Sequence, residues 1–172
     1  MIGVAPLDAL ARKVLVIGLG NPDRGDDAVG GIVAEHLSRR LPSDVTIIAP
    51  RGDVLSLIGD WVAFDALVCI DAAAPMGMPG RIHRIALPKD ELPSNFPVTS
   101  SHAFGLTAAI GLARALRLAP DEIIIYAVEG MSFEAGARLT PEVVAATSLV
   151  ADQVVAEVAR LGHDASEAAF HA

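Results

Sequence analysis

The stretch that decides the fold is Val14-Leu15-Val16-Ile17-Gly18-Leu19-Gly20-Asn21-Pro22-Asp23-Arg24-Gly25-Asp26-Asp27-Ala28-Val29-Gly30. It opens with a run of branched apolar residues, which is typical of a strand buried on both faces of a parallel sheet. Its middle is a glycine-containing loop with an Asn-Pro turn signal and two adjacent aspartates. Apolar residues at helical spacing follow. The stretch therefore predicts a strand, a tight loop and a helix in succession.

The composition favours a folded α/β protein. Hydrophobic residues make up 52% of the chain and charged residues 20%, a balance that excludes a disordered chain. The mean hydropathy is +0.48, but no apolar run approaches the roughly 20 residues that a membrane-spanning helix needs, so we expect no membrane association. The net charge is −8 and no basic patch is evident, which argues against a nucleic-acid partner. Because Cys69 is the only cysteine and no signal peptide is apparent, we expect a cytoplasmic protein without disulfides.

The rest of the chain predicts strands and helices in the order β-α-β-α-β-β-α-β-α within a single domain, residues 1–172. The predicted strands are 13–19, 45–49, 66–71, 81–87 and 122–128, and the predicted helices are 28–41, 54–61, 103–118 and 140–161. This order is that of an α/β three-layer α-β-α sandwich with a twisted, mostly parallel five-stranded sheet, in which the edge strand 81–87 is parallel or antiparallel. We expect residues 1–12 to be a poorly ordered lead-in and 163–172 a frayed tail, with Gly162 ending the last helix.

Three side chains that could bind a ligand or take part in catalysis are predicted to lie outside the carboxyl ends of the parallel strands, where ligands bind in such folds. Asp27 enters the first long helix, Asp71 ends the third strand, and His102 precedes the next long helix. All three are potential metal ligands, because carboxylate and imidazole groups suit a borderline divalent ion. The sequence equally allows ordinary roles for these residues: an acid at a helix start, an acid at a strand end, and a histidine at a helix N-terminus.

Several common motifs do not fit this sequence. The dinucleotide-binding pattern G-x-G-x-x-G fails at Asp23, and the acids that follow it would repel a pyrophosphate. The chain contains no P-loop, no G-x-S-x-G elbow and no H-E-x-x-H helix. A phosphoacceptor receiver would need a lysine after its fifth strand, whereas the only lysines are Lys13 and Lys89.

Together these residues resemble the NiFe-hydrogenase maturation endopeptidases. The similarity is carried by Gly18-x-Gly20-Asn21, Asp26-Asp27-x-x-Gly30, Ile70-Asp71 and Ser101-His102-x-x-Gly105-Leu106, with further similarity at Val128-Glu129-Gly130 and Leu139-Thr140-Pro141-Glu142-Val143. It covers about residues 13–161. The combination of the glycine-rich loop, the acid pair and the two spaced ligands makes it specific.

The resemblance implies an endopeptidase that removes a C-terminal extension from a hydrogenase large-subunit precursor after nickel insertion. It implies that nickel carried by the substrate is the recognition element. It also implies that Asp27, Asp71 and His102 are the ligands of that nickel as well as the catalytic groups. Some members of the family have glutamate at the position of Asp27. The shorter aspartate side chain changes the reach of the carboxylate but not its charge. Since no serine or cysteine is a credible nucleophile, attack by water is expected. Asp26 is then a spare acid that supports a ligand or caps a helix.

Two other functions stay open. The same residues on the same fold could bind a metal-containing client protein without cleaving it, as an assembly chaperone would. Detection of a released C-terminal peptide distinguishes the protease from the chaperone. A metal-dependent amidase that acts on small substrates is the third possibility. For the protease we expect weak nickel binding by the isolated protein, which we expect to be a monomer or a weak oligomer.

Overall fold

The computed structural model describes residues 12–49, 54–87 and 101–168, except for the side chains of residues 101–105 and 163–168. The strands are β1 (Val14–Gly18), β2 (Thr46–Ile48), β3 (Ala66–Ala73), β4 (Ile82–Leu87) and β5 (Glu122–Glu129). The helices are α1 (Val29–Leu37), α2 (Ile58–Trp61), α3 (Ser101–Ala115) and α4 (Pro141–Ala168). Short 3-10 turns, Gly25–Ala28 and Val54–Leu57, lead into α1 and α2.

The strands form one sheet in the order β2-β1-β3-β5-β4. All neighbouring strand pairs are parallel except β4 and β5. The edge strand β4, whose direction the sequence did not decide, is therefore antiparallel. The chain moves from β1 outward to β2 and then crosses back past β1 to β3. The direction of winding therefore reverses between β1 and β3, and the crevice above their carboxyl ends is the switch point of the sheet.

Helices cover both faces of the sheet, as the three-layer prediction requires. One core lies between the sheet and helices α1 and α4, and it includes Val16, Val68 and Tyr126. The other lies between the sheet and helices α2 and α3, and it includes Ile17 and Cys69. Every residue of β1 and β3 is buried, which explains why the first strand is a continuous apolar run instead of an alternating one.

Helix α3 runs in the direction opposite to β5. Only residues 116–121 separate its end from the start of β5, and Asp121 N–H donates to the Asp65 carbonyl just before β3 begins. A helix of 15 residues is about 22 Å long, nearly the length of the sheet in the strand direction. The first turn of α3 therefore lies at the carboxyl edge of β3, the same edge as the switch point.

The structure corrects the predicted surroundings of the site residues. Asp26 and Asp27 lie within a 3-10 turn and not in an open loop. Asp71 is not the last residue of β3, because pairing with β5 continues through Ala73. His102 does not precede α3 but belongs to its first turn.

Other predicted boundaries are also wrong. Helix α1 ends at Leu37 instead of residue 41. Helix α3 ends at Ala115 because Arg117 adopts a left-handed conformation with φ 58°. The Leu118 N–H then donates a hydrogen bond back to the Ala113 carbonyl. Helix α4 continues past Gly162 to Ala168, because a single glycine costs a helix only about 1 kcal/mol.

Some predictions fall on residues that the structure does not describe. These include residues 1–11 of the expected lead-in, residues 169–172 of the expected tail and the proline-rich segment 88–97. Arg12, the last lead-in residue, is hydrogen-bonded to Glu122 of β5. Within the described ranges, no helix combines the length and the apolar character that crossing a bilayer requires.

Candidate functional site

Two glycines let the start of α1 pack directly on the ends of β1 and β3. A methyl group at Gly18 would lie 2.2 Å from the Gly30 carbonyl oxygen. A methyl group at Gly30 would lie 2.1 Å from the carbonyl oxygen of Leu19 and 2.5 Å from that of Ile70. All of these neighbours are backbone atoms, which cannot swing aside. The glycines of the motif therefore allow the loop and the helix start to pack closely against the residue before Asp71.

Asp27 lies beside the start of α1, and one of its carboxylate oxygens has no hydrogen-bond partner among the described residues. Gly20 turns the chain with φ 121°, and a methyl group there would lie 1.7 Å from the Asp27 carbonyl oxygen. The Asn21 N–H donates to Asp27 Oδ2 at 3.0 Å. Asp27 is only 3% exposed, and its buried Oδ1 receives no hydrogen bond from the described part of the chain. A buried carboxylate oxygen without a donor is costly, so Asp27 Oδ1 is a candidate position for a positively charged ligand.

Asp71 lies at the same edge, inside β3. It is fully buried, and its Oδ1 accepts the N–H of Ala72 at 2.8 Å. Strand alternation puts it on the face of Cys69, which is the face that α3 covers. The Leu19 N–H donates to the Ile70 carbonyl at 2.8 Å, which brings the β1–α1 connection next to Asp71. Cα atoms of the 3-10 turn that contains Asp27 lie within 8 Å of Cα atoms of β3.

The structure thus brings Asp27 and Asp71 to the switch point and places the backbone of His102 at the same edge, in the first turn of α3. The side chain of His102 lies outside the described atoms, so its convergence with the two carboxylates stays a prediction. Among the side chains that are described, no group of three His, Cys, Asp or Glu residues is arranged to hold a metal ion.

Asp26 behaves differently from its neighbour. It is fully buried, and its Oδ2 accepts the N–H groups of Met131 at 2.8 Å and Ser132 at 3.0 Å. Its Oδ1 accepts the Thr140 N–H at 2.7 Å, and the Thr140 hydroxyl lies 3.0 Å from both oxygens. The sequence left Asp26 as either a supporting group or a helix cap. In the structure it satisfies donors between β5 and α4, including those of the residue that precedes α4.

Glu129, at the end of β5, is a second buried acid whose role the sequence did not reveal. It is 1% exposed, and its Oε1 accepts the N–H groups of Met76 and Met78, each at 2.6 Å. Burial raises the pKa of Glu129, but these hydrogen bonds outweigh burial and hold the pKa below its usual range. The carboxylate therefore stabilises the connection after β3 at the rim of the site. In the sequence, the signal for this role was an acidic residue at the end of a buried apolar strand.

Cys69 is not a nucleophile. It is fully buried in β3, and burial, followed by the negative charge of Asp71, raises the pKa of its thiol far above the ordinary value. The thiolate required for attack is therefore inaccessible and unstable.

These features define a class. The protein is a doubly wound α/β domain whose switch point carries two buried carboxylates, one of which has an oxygen that no described residue satisfies. Two negative charges at this position suit a cation or a cation-bearing substrate and disfavour a nucleotide phosphate.

Comparison with known proteins identifies the family. The hydrogenase maturation protease family model (HycI) matches residues 32–157. The chain is 30% identical over 157 residues to the hydrogenase 2 maturation protease of Escherichia coli K12, which covers 89% of this chain and 94% of that protein. It is 29% identical over 160 residues to the hydrogenase expression/formation protein HupD of Bradyrhizobium diazoefficiens, which covers 88% and 82% of the two chains. The chain belongs to the hydrogenase maturation protease family.

A solved structure agrees with this assignment. The hydrogenase maturating endopeptidase HybD of Escherichia coli superposes with a TM-score of 0.75 at 29% identity, covering 87% of this chain and 94% of that chain. The predicted fold class, the family resemblance and the enzyme class are confirmed.

Proposed function

We propose that this enzyme removes the C-terminal extension of a NiFe-hydrogenase large-subunit precursor after nickel insertion, and that Asp27, Asp71 and His102 bind the nickel of the substrate. One observation carries the proposal: Asp27 Oδ1 is buried at the switch point without a hydrogen-bond donor in the described ranges. Burial of an unsatisfied carboxylate oxygen is unfavourable unless a positive charge approaches it. A metal ion brought by the substrate would supply that charge.

The chemistry of the three side chains supports this assignment. Two carboxylates and one imidazole are donors that suit a borderline divalent ion such as Ni²⁺. Three protein donors leave coordination positions for groups of the substrate and for water. Because the protein supplies only part of the coordination shell, nickel is expected to bind tightly only when the precursor contributes the remaining ligands.

Hydrolysis by water is the reaction that the residues favour. The only thiol, on Cys69, is buried and unreactive. A divalent ion held by Asp27, Asp71 and His102 would polarise the scissile carbonyl or activate a water molecule. The hydroxyl of the attacking water then ends on the carbonyl carbon, the C–N bond breaks, and the departing amine takes up a proton. In this step Asp27 and Asp71 would hold the ion.

The site assignment predicts that His102→Ala folds but does not process a nickel-loaded precursor. The measurement is the intact mass of the large subunit after co-expression, together with detection of the released C-terminal peptide. His36→Ala is the matched control, because His36 is exposed on α1, away from the switch point. Normal trimming by His102→Ala would refute its role as a ligand. A bound precursor without released peptide in the wild type would favour the non-cleaving chaperone instead.

The metal assignment predicts weak nickel binding by the isolated enzyme. Equilibrium dialysis against Ni²⁺ should leave the protein mostly metal-free at micromolar metal, and the wild type and Asp27→Asn should both gain little metal. Tight, stoichiometric metal in the purified protein would argue for a conventional metallohydrolase, as would hydrolysis of a small amide without any protein client.

A further inference from the structure

We infer that Asp26 is a positioning residue for the proposed cleavage: it holds Asp27 in its productive place by fastening the connection before α1 to the connection before α4. The first connection is residues 19–28 and the second is residues 130–140. The inference rests on the proposed function, because it assigns Asp26 a role that acts through Asp27 and not through contact with the substrate.

The carboxylate of Asp26 is the centre of the junction between the two connections. It accepts hydrogen bonds from the backbone N–H groups of Met131, Ser132 and Thr140 at 2.7–3.0 Å, and the Thr140 hydroxyl adds a further donor. These partners lie 105 to 114 residues away in the chain. Hydrogen bonds to a buried carboxylate are charge-assisted, so they are stronger than bonds between neutral groups.

Backbone contacts extend the same junction. The Asp26 N–H donates to the Ser132 carbonyl at 2.8 Å, and the Gly25 N–H donates to the Ala137 carbonyl at 3.2 Å. The guanidinium Nε of Arg24 donates to the Phe133 carbonyl at 3.3 Å. The 3-10 turn that carries Asp27 is therefore bound on one side to the connection before α4, in addition to the close packing of α1 on the strands.

This junction fixes the turn that carries Asp27, whose Oδ1 receives no hydrogen bond from the described residues. The N–H groups that the connection before α4 presents to this turn, those of Met131, Ser132 and Thr140, are all bound to Asp26. Asp27 is left with the Asn21 N–H on Oδ2 and with a buried Oδ1 that no described residue satisfies. The adjacent acids thus have two roles: Asp26, whose oxygens are saturated, positions the turn, while Asp27 is preorganised for a cation.

Asp26→Asn tests the inference, with Asp23→Asn as the matched control. Asparagine keeps the shape but turns one acceptor oxygen into a donor that faces N–H groups, so the junction loosens. Asp23 lies in the same connection, but it is exposed, and its replacement removes the same charge. At equal folded fraction, we expect Asp26→Asn to lower kcat for precursor cleavage roughly 10- to 100-fold, with a smaller change in KM. Asp23→Asn should stay within about twofold of the wild type.

A spectroscopic measurement separates positioning from a purely structural role. The Asn21 amide proton reports directly on the Asp27 carboxylate, because it donates to Asp27 Oδ2. In Asp26→Asn, the Asn21 amide resonance should move upfield and exchange faster with solvent. If Asp26 only stabilised the connection before α4, the amide resonances of Met131 and Ser132 would shift while that of Asn21 and the kcat stayed unchanged. That pattern would overturn the inference.

Thr140 provides a second pair of variants if Asp26→Asn does not fold. Thr140→Val removes the hydroxyl that donates to Asp26, whereas Thr140→Ser retains it. We expect the valine variant to lower kcat and the serine variant to match the wild type; equal activity of both would contradict the inference. If the wild type itself releases no peptide, the proposed function fails and the inference fails with it. If the wild type and Asp23→Asn cleave and Asp26→Asn cleaves equally well, only the inference fails.

Discussion

Replacing Gly30 with alanine should destabilise the protein, whereas the same replacement at Gly31 should stabilise it. The two glycines are neighbours in the first turn of α1, so they share the same change in helix propensity. A methyl group at Gly30 would meet backbone atoms of Leu19 and Ile70 at 2.1–2.6 Å, while one at Gly31 would have no atom within 4 Å. The pair therefore isolates the cost of packing the helix against the strands.

The expected magnitudes follow from these distances. To accommodate the methyl group, its contact with the Leu19 carbonyl oxygen must lengthen from 2.1 Å to about 3.4 Å, and such overpacking costs about 3 kcal/mol. Alanine recovers about 1 kcal/mol of helix propensity, so Gly30→Ala should lose about 2 kcal/mol net. For a protein of this size the Tm should fall by about 4–8 °C. Gly31→Ala should gain up to about 1 kcal/mol and raise the Tm by about 2–4 °C.

Urea unfolding measures both changes. Trp61 is the only tryptophan and is fully buried, so its fluorescence reports the loss of the core; far-UV circular dichroism provides a second probe. Changes of the same sign and similar size in the two variants would refute the packing argument. Because Gly30 contacts the carbonyl of the residue before Asp71, precursor processing should also decrease in Gly30→Ala and stay normal in Gly31→Ala.

Two further predictions concern buried titratable groups. Hydrogen bonds from Arg84, which outweigh burial, lower the pKa of Glu157 from about 4.5 to about 2. Its contribution to stability should be complete above about pH 4.5 and lost as the pH falls toward 2, so urea midpoints at pH 7 and pH 3.5 should differ less in Glu157→Gln than in the wild type; equal differences would contradict this. Cys69 should resist a thiol reagent in the native protein and react fully in guanidinium chloride, and rapid native labelling would disprove its burial.

The sequence was sufficient to predict the sheet architecture and the sheet edge at which Asp27 and Asp71 lie. The continuous apolar run at Val14–Gly18 requires helices on both faces of the sheet, and that requirement predicted a parallel, doubly wound fold. Parallel strands end at a common edge, so Asp27 and Asp71 were expected to lie near each other. The sequence also placed His102 at this edge as a third potential ligand, and the family resemblance implied that it binds the substrate nickel with the two carboxylates; the described atoms of His102 extend only to its backbone.

Tertiary structure decided the details that depend on distant partners. The two adjacent aspartates have very different partners: donors more than 100 positions away saturate Asp26, whereas Oδ1 of Asp27 has no donor among the described residues. Pairing with β5 carries β3 past Asp71, and antiparallel pairing sets the direction of the edge strand. Hydrophobic pattern reflects burial, which local sequence encodes, whereas hydrogen-bond partners depend on which connections meet at the switch point. The roles of the two aspartates are therefore a property of the folded chain.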